Sequence, residues 1–204
     1  HCHAKLLPLT ALVVRTDRFE DWLREKERFA INVRLLAPLL YDAGRVVLPV
    51  PNGEPPAFAN KATQKARAAG LLKAGEFLAG AELFRLRKQW GMAAFLLHQS
   101  AEQSLLALVK TGTGFVPHTH SLERLVRYAA LVSYRVAALF PQRTERDKRL
   151  FRLLQKAYID SRYEDYTITE PELACLLERV KALHQLSAGF GKEAAAPVLR
   201  SADV

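Results

Sequence analysis

Residues 93–129 read AAFLLHQSAEQSLLALVKTGTGFVPHTHSLERLVRYA. Ala, Leu and Phe dominate the first half, yet His98, Gln99 and Glu102 fall on one side of the helix it predicts. A short Gly/Pro loop follows, carrying His118, Thr119 and His120. Ser121 then opens a second amphipathic helix with Leu122, Leu125, Val126 and Ala129 on one side. Polar groups in such apolar surroundings must be partnered or solvated, because burying one unpaired costs on the order of a few kcal/mol. The stretch therefore predicts packed helices and marks the best candidate for a binding site.

The pattern extends in both directions. Residues 61–89 are rich in Ala, Lys, Leu and Arg, with Asn60 as a cap and Gly91 as a stop. Gly70, Gly75 and Gly80 argue against one unbroken helix, since each costs roughly 1 kcal/mol relative to Ala. A further helical stretch runs to Phe140, before Pro141. Thr144 caps a helix whose Leu150, Phe151, Leu153, Leu154, Ala157 and Tyr158 follow amphipathic spacing. Thr169-Glu170-Pro171-Glu172 is a capping box with Pro in the first turn, and Leu173, Leu176, Leu177, Val180 and Leu183 form a core face beyond it.

Upstream the texture changes. PNGEPP (51–56) holds three of the ten prolines and is the clearest boundary in the chain. Before it, residues 4–14 read as a strand, and Asp17 caps a helix beginning FEDWLRE. A second helix covers about 27–37, and LLYDAGRVVLPV reads as extended segments around a turn. The expected fold is mainly α: an antiparallel bundle of four to five helices over residues 60–190. A small α/β appendage occupies 1–50, a Pro-rich linker 51–59 and a flexible tail 191–204.

The bulk numbers fit a globular protein of 204 residues with a formal charge of +9. That balance favours acidic partners such as RNA and nucleotides. No apolar run approaches the ~18 residues of a membrane span, and no signal-peptide pattern is present. Cys2 and Cys175 make no disulfide framework, so the expected location is cytoplasmic with reduced thiols.

AAFLLHQSAEQSLLAL, PHTHSLERL and AYIDSRYEDYTITEPELACLLERV resemble the HEPN family, named for a nucleotide-binding domain of higher eukaryotes and prokaryotes. The resemblance covers roughly residues 60–188. FAINVRLLAPLLYDAGRVVLPVP, within residues 4–50, resembles the C-terminal end of a nucleotidyltransferase domain of the kind fused before such bundles. The resemblance implies a helical bundle, commonly dimeric. It implies nucleotide or RNA binding, RNA cleavage in toxin–antitoxin and defence systems, or partnership with a nucleotidyltransferase. Residues 1–50 hold no Gly-Ser turn and no Asp-x-Asp pair to bind Mg²⁺. Nucleotide transfer is therefore not expected of this chain, and a catalytic core either precedes His1 or never accompanied it.

Ribonucleases of the family carry an Arg, four to six residues, then a His, and cleave RNA without metal. The literal match is Arg179-Val-Lys-Ala-Leu-His184. On a straight helix those two side chains stand about 140° apart and share no face. Arg162, in SRYEDY, has no His within reach after it. The expectation is thus a nucleotide- or RNA-binding module, non-catalytic alone, with His98, Gln99, Glu102, His118, Thr119, His120 and Arg162 as binding residues. The alternative is a metal-independent ribonuclease using Arg179 and His184.

No cofactor is implied. The HxH spacing of His118 and His120, with His98, has metal-ligand residue types, but the expected metal is none, and capping by Thr119 or Ser121 explains the loop more simply. His1-Cys2-His3 sits at a chain end, where order is poor. Basic clusters at Arg85, Arg87 and Lys88, and at Arg143, Arg146, Lys148, Arg149 and Arg152, could meet phosphate beside Trp90 and Tyr163. Asp160, Arg162, Tyr163 and Tyr166 either tie a loop to the bundle or line a cleft between two protomers.

Overall fold

A computed structural model describes residues 11–51, 61–160 and 166–190. Among them eight helices form: α1 (Thr16–Arg24), α2 (Arg28–Leu36), α3 (Lys61–Leu86), α4 (Trp90–Thr113), α5 (Leu122–Val132), α6 (Arg135–Leu139), α7 (Glu145–Asp160) and α8 (Glu170–Gly189). The bundle is built round α4, which packs against α3, α5, α7 and α8. Its burial explains its composition. Ala93, Ala94, Leu97, Ala101, Leu105, Leu108 and Val109 are all buried on one broad face, which Ala107, His98, Ser100, Glu102, Ser104 and Thr111 widen to more than half of the circumference. So wide a buried face suits a helix packed by neighbours on several sides.

Helix α3 is continuous through Gly70, Gly75 and Gly80. Tertiary packing overrides the propensity cost there: at Gly80 a Cβ would stand 3.1 Å from Leu96 Cδ1, so the missing side chain lets α3 approach α4. Gly91 is not the stop that the sequence suggests. It lies in the first turn of α4, and α3 ends in a Schellman motif: Lys88 N–H donates to Arg85 O at 2.9 Å and Gln89 N–H to Phe84 O at 2.9 Å. Lys88, not a glycine, takes the left-handed position, with φ +57°. The motif folds α4 back antiparallel to α3.

Three later caps follow the sequence. The Ser121 side chain accepts the Arg124 N–H, Thr144 Oγ1 accepts the Asp147 N–H at 3.1 Å, and Thr169 and Glu172 complete the capping box. Gly114, with φ +81°, ends α4. Leu150, Leu154, Ala157, Leu173, Leu176, Leu177, Val180 and Leu183 all enter the core.

The two N-terminal helices lie against the C-terminal end of α4. Arg28 Nη2 donates to Thr111 O at 2.7 Å and Gly112 O at 3.0 Å, satisfying carbonyls that a helix end leaves open. A run of aromatic contacts, Phe19–Trp22–Phe29–Phe115–Tyr128, continues the junction with ring centroids 5.2–6.5 Å apart. Asp17 lies inside the first turn of α1 rather than capping it; its carboxylate takes the Arg18 N–H and the Arg15 side chain. Residues 11–15 and 37–51 carry no strand, although Asp42 Oδ1 and Gly44 N–H make the expected turn. The rest of the expected first strand, the cap Asn60 and the linker residues 52–59, with Pro55 and Pro56, lie outside the described residues.

Candidate functional site

The central helix places His98 and Glu102 one turn apart, and both are buried. His98 Nδ1 lies 3.0 Å from Leu154 O on α7. A carbonyl can only accept, so Nδ1 carries a proton, and Nε2 is turned toward Glu102. The Nε2–Oε2 separation is 3.6 Å, too long for a direct hydrogen bond, and Nε2 has no other partner among the described residues.

Glu102 takes its hydrogen bond from the loop. His120 Nδ1 is 3.2 Å from both carboxylate oxygens. Burial pushes the Glu102 carboxyl up, but the contacts with His98 and His120 outweigh it and hold the group below its ordinary value. The carboxylate therefore fixes a protonated Nδ1 on His120 and leaves Nε2 for a ligand. His120 is 66% exposed, whereas Glu102 is 6% exposed.

Tyr158, one turn beyond Leu154 on α7, completes the cluster. Its ring lies near-parallel to His98 and to His120, with centroids 5.2 Å apart in each case and interplanar angles of 25° and 12°. Tyr158 was legible as a stripe residue but not as a site residue. Its signal was position: any group facing His98 near Leu154 has Tyr158 one turn away.

The other expected binding residues divide. Thr119 Oγ1 accepts the Ser121 N–H at 3.1 Å and so shapes the loop before α5. His118 is exposed, and Gln99 is half-buried without a hydrogen bond to the cluster. Arg162, Tyr163 and His1-Cys2-His3 lie outside the described residues. Tyr166 Oη donates to Leu153 O at 3.1 Å, tying the segment before α8 to α7.

Arg179 and His184 face different neighbours. Arg179 Nη2 donates to Asp147 Oδ1 on α7 at 2.7 Å. His184 packs on α3, where a Cβ at Gly75 would stand 3.8 Å from its Nε2, and burial pushes its imidazole below the ordinary value. No group of three metal-ligating residues converges among the described residues. Much of the basic surface is internally paired: Arg149 with Glu172 at 2.6 Å and Lys148 with Glu145 at 2.8 Å.

A helical bundle organised on one apolar central helix is the class that fold and site define. Residues 69–190, more than half of the chain, match the HEPN domain family. The chain belongs to that family. Among curated proteins none matches it. No described helix is long and apolar enough to cross a membrane.

Proposed function

We propose that this HEPN module binds a nucleotide or RNA at the His98/Glu102/His120/Tyr158 cluster and is non-catalytic by itself. The observation that carries this reading is the exposed His120 imidazole, stacked along Tyr158 and tied to a buried carboxylate. A nucleobase extends such a stack, because every base has a π-face. Nε2 of His120, oriented by the buried Glu102, supplies a polar contact. The +9 charge draws in phosphate, with exposed Arg143 and Arg146 still unpaired among the described residues.

Separate engagement of Arg179 and His184 disfavours the ribonuclease alternative. Pairing with a second copy, or with a nucleotidyltransferase, belongs to the same proposal. Its support is the exposed apolar segment that holds Leu39, Leu40, Tyr41, Val47 and Val50. The test is a thermal-shift screen of the purified chain against nucleoside mono- and triphosphates and short single-stranded RNAs at low salt. Stabilisation by one class, fading as salt rises, is expected. A flat response to all of them would overturn the reading.

A further inference from the structure

We propose that His120 is the residue by which the cluster tells ribose from deoxyribose: its Nε2 accepts a hydrogen bond from the 2′-hydroxyl of a single-stranded RNA. The inference rests on the base stack proposed for the cluster and adds to it the choice of sugar.

The tautomer of the ring decides what it can bind. Nδ1 of His120 lies 3.2 Å from each oxygen of Glu102. Burial raises the Glu102 carboxyl, but its contacts with His98 and His120 outweigh that and keep it ionised, so it can only accept. Nδ1 is therefore the protonated nitrogen, and in the neutral ring Nε2 carries the lone pair. Of the two imidazoles in the cluster only this one meets solvent: His98 Nε2 is buried, whereas the His120 ring is largely exposed and no described residue takes its Nε2.

A nucleic-acid strand has few donors to give that lone pair. Phosphate oxygens only accept. A base stacked parallel to the imidazole, as Tyr158 is at 12°, directs its N–H groups along its own plane and past Nε2, which points within the plane of the ring. Along the sugar–phosphate backbone the 2′-hydroxyl is the one donor of an internal nucleotide, and DNA lacks it. A hydroxyl in the plane of the ring meets Nε2 without competing with the stack. A ring protonated at both nitrogens would turn to phosphate instead, and RNA and DNA would then bind alike.

The experiment is competition anisotropy with the full chain and one short strand holding A, C, G and U, prepared with ribose, with 2′-deoxyribose and with 2′-fluororibose. Fluorine keeps the pucker of a ribonucleotide but cannot donate, so it separates the hydrogen bond from sugar shape. The ribose strand is expected to bind about three- to tenfold tighter than either of the others, the span of one neutral hydrogen bond. His120→Phe keeps a ring for stacking, and His120→Asn keeps an N–H for Glu102 but ends short of the Nε2 position. Both variants are expected to lose the preference for ribose. Equal affinity of the parent for the three strands would overturn the inference and leave the base stack standing. So would a fluoro strand that binds as tightly as the ribose strand, or a ribose preference that survives in either variant. Failure of all three strands to bind would overturn the base stack and this inference together.

Discussion

His120 and Glu102, 18 residues apart in the chain, meet where the loop after α4 returns to the bundle, with Nδ1 3.2 Å from each carboxylate oxygen. The contact joins an exposed ring to a buried charge. It gives the carboxylate the partner its burial demands, and it fixes the face that the imidazole shows to solvent. Glu102→Ala removes the anchor. Amide exchange at residues 118–121 is expected to quicken in that variant, while the α4 core stays protected. Unchanged exchange in the loop would show that Glu102 does not hold it.

Acid stability follows from three groups whose shifts share one sign. Burial holds the His184 imidazole below its ordinary 6.5, so the unfolded chain takes up protons first as pH falls below that value. Glu172, hydrogen-bonded by Arg149 and in its capping box, is held at about 2 despite its partial burial, against an ordinary 4.5. Glu102 is lowered likewise by its two histidines. The stability from each is complete above the unfolded value and drains as pH drops toward the folded one. Urea midpoints are expected to be level above pH 7, to decline below about 6.5 and again below about 4.5. His184→Gln flattens the upper stage and Arg149→Gln shrinks the lower.

Gly112 of α4 packs directly against Val132 of α5. A Cβ there would meet Val132, with Cγ2 at 2.6 Å and Cβ at 3.0 Å. The second of these is fixed to the backbone, so rotation cannot relieve it. Gly112→Ala is expected to destabilise by about 1–3 kcal/mol, the usual cost of overpacking, in urea unfolding. The same change at Gly189, where a Cβ meets nothing within 4 Å, is the control.

Arg28 is the polar clasp between the N-terminal helices and the bundle. Hydrogen bonds from a charged group are worth about 1.5–3 kcal/mol. Arg28→Ala is expected to leave the bundle folded and to speed proteolysis within residues 15–36. Equal rates of cleavage in variant and parent would assign the junction to the aromatic contacts alone.

The bundle was legible because its signals are local. Apolar spacing, the Ser121 and Thr144 caps and the Thr169–Glu172 box each declare themselves within a few residues. The turn between α3 and α4 was not legible, because a lysine occupies the left-handed position where glycine is the usual marker. His98, Glu102 and His120 were legible as polar residues out of place. Their geometry was not: Tyr158 joins them from α7, and only packing brings that helix to α4. The extended segments foreseen in residues 39–50 failed to pair among the described residues, since strands need a partner that local pattern cannot name.

The most direct measurement is the affinity of wild-type and His120→Ala protein for the nucleotide or RNA that the screen selects, taken by anisotropy at two salt concentrations. His120 is largely exposed, but its loss unpairs the buried Glu102 carboxylate, so the urea midpoint of the variant is taken alongside to show that it stays folded. Saturable binding by the wild type, weakened about tenfold or more by the substitution as the loss of one stacked base predicts, is the expected result. Equal affinity of the two proteins would contradict the assignment of the His120 cluster as the binding site.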